Sequence, residues 1–250
     1  MGSIVAHKRK QELGRVKYLA DHILPDWIKT EVRLRTKYRR MRVGDVGDYS
    51  FVPYDKYQCI FVHIPKTAGV SVAKALFGNL GGGHIPIRTL QRVFGAETLA
   101  RYFKFTFVRN PYDRLLSAFT FLKTGGMDLD DRIFAEKEIQ HFETFHDFVK
   151  TWVTEENVKR NLHFIPQVDW LRLNDTSVAV DFIGRYENLS QDFDRVCRHL
   201  KIPSHLSKAN ASKRARDYRQ YYDEESMRIV RRVYCQDLGL FNYEFEPAQR

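Results

Sequence analysis

Cysteine is scarce in this chain: Cys59, Cys197 and Cys235 are the full set, they lie far apart, and none forms a CxxC pair. That spacing excludes a disulfide framework and a zinc site, and it fits reduced core residues in a reducing compartment. Long apolar runs are missing too, since nothing approaches the roughly 20 residues that span a bilayer. The N-terminus carries no apolar signal core. The expected location is therefore cytoplasmic, with room left for an anchor upstream of Met1-Gly2-Ser3. The nine histidines are scattered, no ligand cluster shows, and no metal is expected. Internal repeats and low-complexity tracts are absent as well.

What is abundant is positive charge. Lysine and arginine number 41 against 31 acidic residues, a net +10 over 250 residues. Residues 1–50 hold 12 of those cations against 6 carboxylates, and Arg33, Arg35, Lys37, Arg39, Arg40 and Arg42 crowd one predicted helix that Gly44 and Gly47 end. A basic chain points to an anionic partner: a nucleic acid, a polyanionic glycan, an acidic membrane surface or a phosphorylated cofactor. A hydrophobic content of 43% is enough for a core and argues against global disorder. The expected organisation is a basic extension over 1–50 followed by one domain over 51–250.

That domain opens with Gln58-Cys59-Ile60-Phe61-Val62-His63-Ile64, a short buried-strand pattern that Pro65 ends. Lys66-Thr67-Ala68-Gly69-Val70-Ser71 follows, and then a helix through Val72, Ala75 and Leu76. Gly81-Gly82-Gly83-His84 reads as a flexible loop, and a second helix is predicted from Thr89 to Tyr102. The grammar then repeats: Lys104 to Val108 is a strand, Arg109 closes it, and Asn110 caps a helix with Pro111 at its first position. Leu115, Phe119 and Leu122 are that helix's core stripe. Two strand-loop-helix units in succession imply an α/β fold with a parallel sheet flanked by helices. Downstream, Thr144 to Asp147 resembles a capping box, Val178 to Ile183 a third strand, and Phe193, Val196, Cys197 and Leu200 an amphipathic helix. A last helix is predicted from Asp223 to Asp237.

The first loop has the chemistry of an anion cradle. A loop leaving a parallel strand for a helix presents backbone N–H groups at the positive end of the helix dipole. Gly69 permits close approach, Thr67 and Ser71 add hydroxyls, and Lys66 adds a full charge. An ordinary β–α turn with a solvated lysine is the alternative. In the second unit, Arg109 and Ser117 are placed to grip another anion, while an Arg109–Asp113 ion pair is the plainer reading. No GxxxxGK[ST] run is present, nor an aspartate placed after a strand to hold magnesium, which weighs against a P-loop nucleotide kinase. A polyanion- or nucleic-acid-binding module on the basic arm is the other alternative.

Together the two loops resemble those of sulfotransferases that use 3′-phosphoadenosine 5′-phosphosulfate (PAPS). Phe61 to Ser71 resembles the family's 5′-phosphosulfate loop, and Phe107 to Phe119, with Arg109 and Ser117, its 3′-phosphate motif. The texture is closest to the carbohydrate (Golgi-type) branch and its soluble bacterial relatives. His163 to Gln167, Gly184 to Leu189 and Leu240 to Phe245 are similar to further elements of that branch, so the likeness runs from about 58 to 246. It implies a three-layer P-loop-like fold, PAPS as co-substrate and adenosine 3′,5′-bisphosphate as product. It also implies a hydroxyl-bearing acceptor, with a glycan the first expectation, and no nucleic-acid partner. Lys66, Thr67, Ala68, Gly69, Val70, Ser71, Arg109 and Ser117 would hold the nucleotide, joined by Ser212 and Lys213 from a basic loop. Lys66 would face the leaving group and His84 act as base, with His163 the rival. His163, Gln167 and Arg185 are the expected acceptor contacts. Val70 departs from the pattern, standing where many relatives have threonine.

Overall fold

The computed structural model describes residues 26–44, 47–174, 177–203, 206 and 217–245. Three parallel strands form its sheet in the order β1 (Cys59–Val62), β2 (Phe103–Val108), β3 (Phe182–Arg185). The register sets Phe61 beside Phe105 and Phe105 beside Phe182. All four residues of β1 and the last five of β2 are buried, as the unbroken apolar runs require of a strand covered on both faces.

Helices α1 (Asp26–Arg42) and α2 (Val52–Tyr57) precede β1. Three more, α3 (Gly69–Phe77), α4 (Ile87–Phe94) and α5 (Ala96–Arg101), join β1 to β2. After β2 come α6 (Pro111–Lys123), α7 (Leu129–Glu138), α8 (Phe145–Trp152) and α9 (Gln167–Leu171). After β3 come α10 (Leu189–Leu200), α11 (Glu224–Val233) and α12 (Cys235–Phe241). One apolar core surrounds the sheet, and a second gathers Leu116, Phe119, Phe148 and Trp152 with Val230 from α11. The basic helix α1 lies on the domain through Met41, which is 1% exposed, and through an Arg42–Asp55 ion pair at 3.0 Å.

Several expectations change in detail. The helix predicted over Thr89 to Tyr102 breaks at Gly95, whose φ of 85° no other residue type adopts readily. The last helix is interrupted at Tyr234, whose hydroxyl donates to the Phe164 carbonyl. The third strand starts later, at Phe182, because Val178 bridges Arg172 and Ala179 donates to the Leu171 carbonyl. Cys59 and Cys197 are buried as expected, whereas Cys235 is exposed at the start of α12. The glycine run is a packed turn rather than a flexible loop: Gly82 N–H donates to the Tyr54 hydroxyl, and a β-carbon at Gly82 would come within 2.3 Å of the Phe51 ring.

A buried carboxylate ties the C-terminal half to the sheet. Asp237 is fully buried and accepts from the Gln167 and Val168 N–H groups at 2.8 and 2.9 Å, capping α9, where Pro166 has no side-chain donor or acceptor to offer. Replacing it leaves those amides desolvated and unpaired. Asp237→Ala is expected to lower stability by about 3 kcal/mol in urea unfolding. A loss within about 0.5 kcal/mol, the range of ordinary surface changes, would contradict this role.

Candidate active site

The carboxyl ends of β1 and β2 lie side by side, because the two strands are parallel neighbours. Pro65 ends β1, and the chain turns through Lys66 (φ 70°) and Ala68 (φ 67°), two left-handed residues that fold the loop back over the start of α3. Ala68 sits at the cap position of α3 and brings no oxygen to it, so no side chain from the cap occupies the first-turn N–H groups. Thr67 is fully buried and its hydroxyl donates to the Ile64 carbonyl at 2.9 Å, so it braces the turn. Gly69 lies against the His63 ring, where a β-carbon would come within 1.9 Å of Cδ2. Only glycine fits there. The neighbour that demands a glycine is the histidine beneath it.

Arg109 joins the two loops. Its Nη1 donates to the Lys66 carbonyl at 3.2 Å, its guanidinium lies 3.9 Å over the Tyr186 ring, and Nη2 meets Asp113 at 2.6 Å. The Arg109–Asp113 ion pair read from sequence is present, and the same guanidinium also reaches the first loop. Ser117, 9% exposed, stands two turns along α6 from Asn110, whose side chain accepts from Tyr112 N–H as the predicted cap. Arg114, 2% exposed, donates from Nε to the Pro65 carbonyl at 3.0 Å. Arg109, just before α6, and Arg114, within it, thus hold consecutive carbonyls of the first loop.

The Lys66 ammonium lies 3.8 Å over the Phe121 ring, and the same ring meets His163 edge-on at 4.9 Å. His84 is brought to this point by the glycine turn. Its Nδ1 is 2.9 Å from the His63 carbonyl, so Nδ1 carries the proton and Nε2 holds the lone pair. The His84 ring is 4.1 Å from that of His63 and 6.4 Å from that of His163. His163 Nε2 is 2.9 Å from Asp131, and its Nδ1 is buried without a partner.

Burial, followed by the charges of His163, Arg114 and Lys66, pushes the His84 imidazole down to about 4, against the opposing pull of the His63 carbonyl. Burial and then His84 hold His63 well below its ordinary value. Burial lowers His163 as well, despite the Asp131 bond that works the other way. Burial raises the Asp131 carboxyl, but the bonds from His163 and Met127 N–H together with the Lys66 charge bring it below the usual carboxylate range.

The remaining expected residues separate. Gln167 is fully buried behind Arg109: Oε1 accepts from Arg109 N–H at 2.9 Å, and Nε2 donates to the Arg109 carbonyl at 2.8 Å. Arg185 leaves β3 beneath Tyr243, with its guanidinium 4.6 Å over that ring, and donates to the Phe241 carbonyl. Ser212 and Lys213 lie outside the described residues. Asp131, Arg114 and Glu187 were missed from sequence. Glu187 accepts from Asn110 N–H at 2.7 Å and from the Tyr243 hydroxyl at 2.7 Å, binding the Arg109 turn to β3 and the C-terminal segment. Arg114 and Glu187 lie inside runs singled out above, whereas Asp131 sits in the acidic stretch of Asp128 to Asp131, which carried no signal.

Residues 49–244 match the sequence profile of the sulfotransferase family. The chain belongs to that family. It is 28% identical over 178 residues to carbohydrate sulfotransferase 14 of Homo sapiens, a stretch covering 61% of this chain and 46% of the human protein. The Danio rerio protein of the same name is 27% identical over 180 residues, covering 61% of this chain and 48% of that protein. An uncharacterized protein of Archaeoglobus fulgidus is 28% identical over 123 residues, or 49% of this chain and 87% of its own length. The chain thus spans about half the length of the carbohydrate sulfotransferases it matches. No solved structure gives a significant match.

Neutral imidazoles have a measurable consequence. Unfolded histidine titrates near 6.5 and folded His84 near 4, so between these values the unfolded chain binds a proton that the folded chain does not. The His84 contribution to stability is complete above about 6.5 and declines as pH falls toward 4. An NMR titration is expected to keep the His84 ring neutral down to about pH 5. A midpoint near 6.5 would contradict the buried, neutral ring.

Proposed function

We propose that the chain moves a sulfuryl group from PAPS to a hydroxyl of a carbohydrate acceptor. The observation that supports this is the Arg109–Lys66 link, which holds the turns after β1 and β2 side by side. A nucleotide with a phosphate at each end of its ribose needs two such turns. The family supports the transfer, and the carbohydrate class rests on the names of the relatives.

The residues fit the donor. First-turn N–H groups of α3 and the Lys66 charge would hold the 5′-phosphosulfate, with Ala68, Gly69, Val70 and Ser71 supplying backbone and Thr67 bracing it. Arg109 and Ser117 would hold the 3′-phosphate, Asp113 and Tyr186 fixing the guanidinium from two sides. PAPS supplies, when bound, the sulfuryl group and a bisphosphate leaving group. Lys66 stabilises the charge that grows on the leaving oxygen. His84 takes the acceptor hydroxyl's proton at Nε2, since Nδ1–H is held by the His63 carbonyl. Gln167 acts as a positioning residue that fixes the Arg109 peptide from both sides.

A second assignment of the base is favoured by one specific feature. The His163–Asp131 pair has a carboxylate to stabilise an imidazolium and an unpartnered buried Nδ1 to receive a proton. Single-turnover kinetics separates the two. His84→Ala is expected to slow transfer by roughly 10²–10⁴-fold with nucleotide affinity kept, and Asp131→Asn to slow it far less. The reverse ranking would assign the base to His163. Lys66→Ala is expected to lower kcat by about 10²–10³-fold. For Arg109→Ala, a loss of about 1.5–3 kcal/mol in affinity for adenosine 3′,5′-bisphosphate is expected by calorimetry. Unchanged affinity would overturn the nucleotide assignment. ATP with magnesium is expected to raise the melting temperature much less than the bisphosphate does.

A further inference from the structure

Between α1 and α4 runs a groove of about 940 Å³ that no residue of the candidate active site lines. Arginine dominates its walls. Arg35, Arg39 and Arg42 fall at i, i+4 and i+7 of α1, on one face of that helix, and Arg92 comes from α4. Leu34, Tyr38 and Val93 give the lining its carbon, and Leu34 is exposed. The lining holds no carboxylate and no lysine. Cations gathered in one recess raise its potential and draw an anion.

Arg42 shows what such a guanidinium takes. Its Nη2 lies 3.1 and 3.0 Å from the two oxygens of Asp55, and its carbon rests 4.9 Å from the centre of the Phe94 ring. Tyr102 donates to the same carboxylate at 3.0 Å. The domain's own acid thus docks on the last arginine of the stripe. The stripe is two helical turns, about 10 Å, long, a distance that about three residues of extended chain span. The lining narrows the occupant further. Forked guanidiniums match carboxylates in pairs, and the carbon of Leu34, Tyr38 and Val93 asks for an apolar side chain as well. A nucleic-acid backbone or a polyanionic glycan brings the charge without that carbon. A lipid surface is planar and does not enter a recess between two helices.

We propose that this groove is a docking site for a protein partner, through a short segment in which acidic side chains flank an apolar one. Arg35, Arg39 and Arg92 take the carboxylates, in the manner of Arg42 with Asp55, and the apolar side chain lies against Leu34, Tyr38 and Val93. Because no active-site residue lines the groove, the partner is held by the chain and is not its acceptor. The inference goes beyond the sulfotransfer reading and does not rest on it.

The test uses the full chain and the fluorescence anisotropy of a labelled octapeptide with three glutamates on either side of two leucines. Two control peptides carry glutamine for every glutamate or serine for both leucines. The glutamine control is expected to bind at least about tenfold more weakly, the size of one charge-assisted contact. The serine control is expected to lose several-fold. Arg39→Glu with Arg92→Glu reverses an exposed charge on each wall. That pair is expected to weaken the parent peptide on the order of 100-fold, with the affinity for adenosine 3′,5′-bisphosphate unchanged. Arg92→Gln alone, several-fold weaker, decides the matter where the double variant unfolds. Lys137→Glu with Lys159→Glu makes the same change of net charge at exposed positions outside the groove and is expected to leave binding as it was. A parent affinity that survives the loss of Arg39 and Arg92, or that falls equally with Lys137 and Lys159, overturns the site. So does a serine control that binds as well as the parent, or tighter binding of duplex DNA or phosphatidylserine vesicles, since either would make the groove a general polyanion surface. Failure of the bisphosphate to bind would overturn the sulfotransfer reading and leave the peptide arms to decide the groove.

Discussion

The active-site architecture depends on one constraint: carbonyls of the first loop are held by arginines of the second. Arg114 takes the Pro65 carbonyl and Arg109 the Lys66 carbonyl. The turn between them runs through left-handed residues, which an unsupported loop would not keep. Pinning those carbonyls fixes the first loop against the turn that carries Arg109, and with it the spacing of the two proposed anion sites. In the proposed function, the cations that serve the ligand also build the loop that receives it.

That arrangement places several charges out of water, and a network of acceptors answers them. Asp113 meets Arg109, Glu187 holds Asn110 N–H, and Asp237 holds the start of α9, from which Gln167 returns to the Arg109 peptide. Arg109, Arg114 and Asp237 are the buried charges among these; such charges add little net stability, because desolvation opposes their attraction, but removing one partner is severe. Their value here lies in geometry: β2, β3, α9 and α12 are referred to a single turn. The histidine cluster follows the opposite logic. Packed close together under neighbouring cations, its rings stay neutral, and one carbonyl decides which nitrogen of His84 offers its lone pair.

Much of this was legible in the sequence. The two strand-loop-helix units, the cap at Asn110 and the tight loop from Lys66 into α3 follow from local patterns, because each is built from neighbours in the chain. The Arg109–Asp113 pair was legible for the same reason, being one helical turn apart. The long-range half was not. Gln167 was expected at the acceptor and instead faces Arg109, 58 positions away, and nothing in its surroundings announces that. Asp131 gains its meaning only when folding brings it beside His163. The glycine run misled for a physical reason: glycine permits flexibility, but here it admits the rings of Phe51 and Tyr54.

The central claim is that one nucleotide bridges two clamped turns, and its most direct test is amide chemical-shift mapping with adenosine 3′,5′-bisphosphate. The account requires that the N–H signals of Gly69, Val70 and Ser71 and the Arg109 side-chain signal move together, with one saturation curve. Adenosine 5′-monophosphate should move the first group and leave Arg109 in place. Signals of the two turns that titrate independently with the bisphosphate, or that stay still while others move, would contradict it.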